Sequence, residues 1–443
     1  MNSAREHYLA DYARVAHALP GAHLPWLASA RRNALAGFAE RGFPTRRDED
    51  WKYTSTQGFE RHAFSAAGND LPNPELALAI ARRRAGIELD AHLMVFHNGR
   101  YQPRLSTPAP GSGLRLASLA DALEAAPDQV EPYLAENADE AEDAFAALNT
   151  AFMRDGAYLH LARGTVLEQP VHLLFIATGA GNAHYLRNLI VAERGARASI
   201  VEHYIGIDGL PYFTSTVTRI FAEEGAEIAH TKLQQEGQHA FHVARLGAFQ
   251  QRDSRFASHS ISLGAALARH DILARFDGTG CEAALDGLYL AGHDQHVDHH
   301  TCVDHRLPHG TSRENYRGVL DGRAHAVFNG KVIVRPGAMK TDASQSNHNL
   351  LLSREAEIDA KPELEIYADD VKCNHGATVG QLDAQQLFYL RARGIDEAAA
   401  RAMLVHAFVH DVVSRIRLDA LRRHLEDILL ARLPAGMEAN GGR

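Results

Sequence analysis

A chain of 443 residues, 45% hydrophobic and 23% charged, has the make-up of a folded globular protein, which excludes a disordered or collagen-like polymer. Its 46 Lys and Arg against 55 Asp and Glu leave a net charge of -9, so no basic field exists for phosphate backbones and nucleic acid is excluded as a main partner. Met1 to Pro20 mixes Asp, Glu and His with its apolar residues and no long apolar run occurs anywhere, so a cytoplasmic protein without a membrane partner is expected.

From Ser3 to Arg41 apolar residues recur at helical intervals, first Tyr8, Tyr12, Val15 and Leu19, then Trp26, Ala30, Leu35 and Phe38, with Pro20 and Pro25 between the two sets. The polar stretch Arg46 to Asp50 leads into Trp51-Lys52-Tyr53-Thr54, and Leu93 to Phe96 followed by Asn98-Gly99 predicts a short strand and turn. An Ala- and Glu-rich segment from about Leu116 to Met153 predicts further helix. These features define a mostly helical N-terminal region over 1–155.

After Asp155 short apolar runs such as Val171 to Ile176, Leu189 to Ala192 and Val332 to Val334 alternate with Gly-centred turns. A loose pattern recurs at Gly195-Ala196, Gly225-Ala226, Gly264-Ala265 and Gly280-Cys281, at intervals too irregular to prove a strict repeat. Many short strands without intervening helices exclude a doubly wound sheet and leave a sandwich, a barrel or a β-helix over 156–385. Polar stretches such as Asn347-His348-Asn349 ahead of Leu350-Leu351-Leu352 favour a solenoid, whose coils stack polar residues. Helical periodicity returns over 386–443, where Ile395-Asp396 forms a staple and N-cap ahead of a helix carrying Ala400, Leu404, Phe408 and Val412 at four-residue spacing. Such a stripe either packs on the β-region or docks a partner.

The phosphate-binding, dinucleotide, nucleophile-elbow and zinc-helix fingerprints are all absent from the sequence. Three isolated cysteines, Cys281, Cys302 and Cys373, do not form a secreted disulfide framework and fall short of the about four thiolates of a conventional cluster. The densest ionisable segment runs from His293 to His305. On a strand it would place His296, Asp298, His300, Cys302 and Asp304 on one face, as metal ligands or as a hydrogen-bonded ladder. That row spreads over about 27 Å, so two neighbours at most share an ion without help from another strand. Cys373 and His375, two apart, also face one way on a strand. They are either a thiolate–imidazole pair suited to iron or an inert thiol beside a structural histidine, and an approach by Lys372 would depress the thiol pKa.

Val327-Phe328-Asn329-Gly330-Lys331-Val332, Arg335-Pro336-Gly337-Ala338, Thr341-Asp342-Ala343, Gln345-Ser346-Asn347 and Asn349 to Leu352 closely resemble the core of the SufB/SufD family of iron–sulfur cluster assembly scaffolds. The likeness continues through Lys361 to Ile366 and the Cys373 segment to Tyr389 to Ile395. Asp48 to Thr54 and Asp298 to His305 with Ser312-Arg313 resemble the family's other signatures. Within the family Cys373-x-His375 is the SufD-type pattern. The resemblance implies a right-handed parallel β-helix flanked by helical regions, in a complex with SufB and the SufC ATPase. SufC would dock on the C-terminal helices, for which Leu404 and Phe408 are the candidate stripe, and SufB would meet this chain near the C-terminal end of the sheets. His375 would be an iron ligand at that interface and Cys373 a secondary one. The chain would be non-catalytic, with no cofactor held by it alone and iron or a nascent cluster shared transiently with SufB. A homodimer of the isolated chain is also admitted. The competing reading is a metal-dependent hydrolase or lyase using the His296 to Asp304 row.

Overall fold

The computed structural model describes residues 2–66, 79, 86–87, 89–107, 113–134 and 143–432. Helices Asn2–Val15 and Pro25–Arg41 open the chain, as the periodicity predicts. They are followed by β1 (Ser65–Ala66), β2 (His92–His97), β3 (Arg100–Tyr101) and β4 (Leu114–Ser118). Asn98 and Gly99 join β2 to β3 with φ of 48° and 76°, the two positive values that a tight hairpin demands and that Asn-Gly supplies with least strain. The helix expected from Leu116 is corrected: Leu116 to Ser118 pair antiparallel with the solenoid's first strand, and helices Leu119–Ala125, Pro127–Leu134 and Ala144–Phe152 follow. Ser118 ends the strand as the next helix's N-cap, accepting from Asp121 N–H. Residues 135–142 of that predicted helical segment lie outside the described residues.

The β-region is a parallel solenoid with two strands per turn. Its strands are β5 (Ala157–Leu161), β6 (Val171–Ala177), β7 (Asn182–Ala192), β8 (Arg197–Gly206), β9 (Phe213–Ala222), β10 (Glu227–Gln235), β11 (Phe241–Gln250) and β12 (Arg255–Ser262). They continue as β13 (Leu267–Phe276), β14 (Glu282–Ala291), β15 (His296–His305), β16 (Thr311–Leu320), β17 (His325–Val334), β18 (Asp342–Leu351), β19 (Glu357–Ile366) and β20 (Lys372–Gly380). From β5 onward odd-numbered strands pair in one sheet and even-numbered strands in the other, each with the strand two places away. The expected parallel β-helix is therefore present, and the sandwich and barrel alternatives fall.

The irregular glycine pattern has a structural origin. Register partners step by 30 residues from Arg197 to Glu227, by 28 from Glu227 to Arg255 and by 32 from His325 to Glu357. Strand lengths hold while the connecting turns vary, so a real coil repeat carries no fixed sequence period. Gly195 and Gly225 occupy equivalent turns with φ of 70° and 67°, where a side chain would be strained.

Alternation within each strand separates two faces. Inward residues such as Leu173, Ile200, Ile228, Leu285, Val303 and Phe328 fill the lumen between the sheets. The outer face of the odd sheet is covered by the N-terminal helices, with Tyr8, Phe59 and Phe145 packed around Phe213 and Phe241. The outer face of the even sheet receives helices Glu397–Val413 and Asp419–Arg432, whose Val405, Val409, Val412 and Leu425 meet Leu233, Leu288 and Val319. Asp396 caps the first of these helices through Ala399 N–H at 2.9 Å. The buried stripe is rotated from the predicted one: Ala400 and Val412 are buried, but Val405 and Val409 take the central places and leave Leu404 and Phe408 half-buried. Among the described residues no helix is long and apolar enough to cross a membrane.

Candidate functional site at the open end of the solenoid

β20 is the last strand of the even sheet, pairing with β18 on one side. Its register sets Cys373 beside Ala343 and His375 beside Gln345. Ala343 and Gln345 are both buried, inward-facing residues, so Cys373 and His375 lie on the lumen side of the terminal strand. Cys373 is half-buried against the last apolar cluster, with Val332, Val334 and Leu364, whereas His375 is exposed. Burial raises the Cys373 thiol pKa and Asp342 adds to the effect. The expected help from Lys372 is therefore corrected: the adjacent residue projects from the opposite face of the strand, and the thiol is protected instead of activated.

Behind His375 the same rung runs inward from Gln345 to Glu314. Glu314 is buried in the lumen, where Thr301 Oγ1 donates to its carboxylate at 2.6 Å and Gln345 Nε2 at 3.3 Å. Burial pushes this carboxyl up to about 7, because two neutral donors repay only part of the lost hydration. Space for Gln345 comes from the facing sheet: a Cβ on Gly330 would stand 1.9 Å from Gln345 Nε2. Sequence reasoning missed Glu314 and Gln345 as members of a site. Thr311-Ser312-Arg313-Glu314-Asn315-Tyr316-Arg317 is polar on both faces of β16, so period-two alternation held no signal for its inward side.

The His296 to Asp304 row does lie on one face of β15, the outer one, while His299 and His305 point inward. It does not meet Cys373 and His375, which sit on the other sheet. Arg269 holds Asp298 at 2.8 Å and Asp271 at 2.7 Å, and its guanidinium lies 4.0 Å from the Trp51 ring centroid. Burial alone would raise the Asp298 carboxyl, but Arg269 and His300 outweigh it and hold it well below the usual range. Asp304 is engaged by Arg306 and Arg335, each at 2.8 Å, and burial pushes the Cys302 thiol up to about 12. The row thus offers neither an uncommitted carboxylate nor a thiolate at neutral pH. The segment Asp48 to Thr54 clamps this face: Arg269 Nη1 donates to Asp50 O at 2.6 Å, Thr54 Oγ1 to Asp298 at 2.5 Å, and Lys361 Nζ to Glu49 at 2.5 Å.

Comparison with known proteins decides the family. A family model described as "SUF system FeS cluster assembly, SufBD core domain" matches residues 175–408, and a second, "SufBD protein N-terminal region", matches residues 2–173. The chain belongs to the SufB/SufD family. It is 33% identical over 401 residues to the iron–sulfur cluster assembly protein SufD of Escherichia coli, covering 89% of this chain and 90% of that one. It is 32% identical to an iron–sulfur cluster assembly SufBD family protein of Synechocystis, covering 92% and 91%. With SufD of Bacillus subtilis it shares 26% identity over 73% of this chain and 75% of the relative. The SufBD core match runs from β6 into the C-terminal helix beginning at Glu397 and so includes Glu314, Gln345, Cys373 and His375.

Proposed function

We propose that this chain is the SufD-type, non-catalytic subunit of a cytoplasmic SufB–SufC–SufD scaffold, with iron or a nascent cluster as cargo shared transiently with SufB. The observation that carries the reading is the placement of Cys373 and His375 side by side on the inward face of a terminal strand whose outer edge pairs with no strand among the described residues. Unpaired strand edges accept a partner strand, and a thiol with an imidazole suits iron. Because the pair supplies two ligands, a partner must complete the coordination. The burial-protected Cys373 makes His375 the primary ligand and the thiol the secondary one. SufC would dock on the C-terminal helices, where Leu404 and Phe408 are half-buried and Met403 and Phe388 are 51% and 74% exposed.

The test is anaerobic co-purification with SufB and SufC followed by reconstitution. His375→Ala should leave the complex assembled but sharply lower its iron and sulfide, with a smaller loss for Cys373→Ala. Normal cluster content in the His375 variant would remove it as an essential ligand. Failure of the wild-type chain to bind SufB and SufC at micromolar concentration would overturn the scaffold reading.

A further inference from the structure

Three strands of the odd sheet carry an imidazole, an imidazole and a carboxylate on one outer-face rung. His296 is the register partner of His325, and His325 of Glu357. One rung on, Asp359 occupies the same face of β19. The ligand atoms of His325, Glu357 and Asp359 lie within 4.8 Å of one another, and His325 Nε2 stands 2.8 Å from Asp359 Oδ2. Two ligands of a first-row ion, each at about 2.1 Å and at right angles, are about 3 Å apart, and opposite ligands about 4.2 Å apart. The His–Asp pair already has the first spacing, and a small rotation of the exposed Glu357 side chain closes the set.

A structural His–Asp hydrogen bond accounts for two of these residues but leaves the third unexplained. Glu357 and Asp359 lie two apart on one face of β19, with their carboxylate oxygens within 4.8 Å of each other, so the two charges repel. The neighbouring cation does not relieve them, because Lys361 is engaged by Glu49 at 2.5 Å and Glu363 at 2.6 Å. Glu357 has no cationic partner among the described residues. A metal ion between the two carboxylates would relieve that repulsion.

The adjoining wall of the site is set by hydrogen bonding. Asp298, held ionised by Arg269, can only accept, so the single Thr54 hydroxyl proton goes to it at 2.5 Å. Thr54 must then accept from His296 Nε2 at 2.8 Å. This makes His296 Nε2 the N–H donor of the pair, with its ring 4.6 Å from that of His325.

We propose that His325, Glu357 and Asp359 bind a divalent first-row metal ion of the Zn²⁺, Mn²⁺ or Fe²⁺ class. One imidazole with two carboxylates suits these ions and disfavours soft Cu⁺. The site lies on the outer face of the odd sheet, apart from Cys373 and His375 on the inner face of the even sheet, and does not depend on the scaffold reading.

The experiment uses the full chain carrying Cys373→Ala and His375→Ala, so that the terminal strand contributes no ligand, freed of metal by chelation and titrated with Co²⁺ and Zn²⁺ by calorimetry and Co²⁺ absorption. The expected result is one ion bound with micromolar affinity. His325→Gln and Asp359→Asn should each weaken it by at least about tenfold, the loss typical of disturbing a ligand shell. Glu357→Gln, at an exposed position that does not threaten folding, should weaken it several-fold. Binding only at millimolar metal, or affinity unchanged by Glu357→Gln and Asp359→Asn in folded protein, would overturn the assignment.

Discussion

Glu314→Gln tests the lumen electrostatics directly. In the folded chain the Glu314 carboxyl is raised from 4.5 to about 7 by burial, with Thr301 and Gln345 opposing the rise. Folding therefore takes up a proton across that window. The sign follows: the stabilisation is fully present below pH 4.5 and is lost as pH rises towards about 7, because the unfolded chain releases its proton first. At about 1.4 kcal/mol per tenfold change in proton affinity, the loss is on the order of 3 kcal/mol. Glutamine keeps the shape and an oxygen for Thr301 to donate to, and its amide can donate to Gln345 Oε1, which has no partner among the described residues. Urea unfolding of wild type and variant at pH 4.5 and pH 8 measures the effect by difference, so other titrating groups cancel. The variant's stability relative to wild type should rise by about 3 kcal/mol between the two pH values. A relative stability that stays constant within about 0.5 kcal/mol, the usual size of a neutral surface change, would refute the raised carboxyl.

Gly330→Ala should drive Gln345 from the lumen, since the new Cβ would overlap its amide nitrogen. The expected cost is about 1–3 kcal/mol of overpacking, read by urea unfolding, and Gln345→Ala in the same chain should recover part of it. On the C-terminal helix, Leu404→Glu should abolish SufC capture in a pull-down while the circular dichroism melt is unchanged. Phe408→Asp should weaken capture and lower stability by about 1 kcal/mol, because Arg317 loses the ring whose centroid lies 4.9 Å away and gains only a carboxylate near solvent.

The legible parts of this chain were those decided within a few residues. Asn98-Gly99, the Asp396 cap and the paired N-terminal helices follow from local sterics and periodicity, and each appears where its residues place it. The His296 to Asp304 row was legible as one face of a strand, because period-two alternation needs no tertiary knowledge. What the row faces was not. Its ion pairs come from Arg269 a turn earlier, Arg335 a turn later and Arg306 just past the strand, and its cover from Trp51 and Thr54, more than two hundred residues away. Leu116 to Ser118 became strand because β5 needed an edge partner, a tertiary demand that overrides local helix preference. The buried helix stripe rotated towards Val405 and Val409 for the same kind of reason: the even sheet offers apolar places at Leu288, Val319 and Leu350, and β-branched residues fill them.

The candidate pair was found by type and spacing, but its setting depends on where the solenoid stops. Inner turns bury Leu, Ile and Phe between the sheets, whereas the inward row of β20 is Cys373, His375, Ala377 and Val379, with Val379 53% exposed. Nearby Ile366 and Tyr367 are 42% and 58% exposed. Terminal repeats of a solenoid usually present a polar cap that spares the last coil from self-association. Here the last coil keeps apolar groups at its mouth and an edge without a strand partner among the described residues, the combination that soluble proteins avoid unless another chain covers it. A partner at this edge would remove the exposed apolar surface and, by supplying ligands beside His375, would serve the proposed iron site in the same step. A covering partner that contributed no ligand would serve the first purpose alone, and iron retention by the assembled complex distinguishes the two.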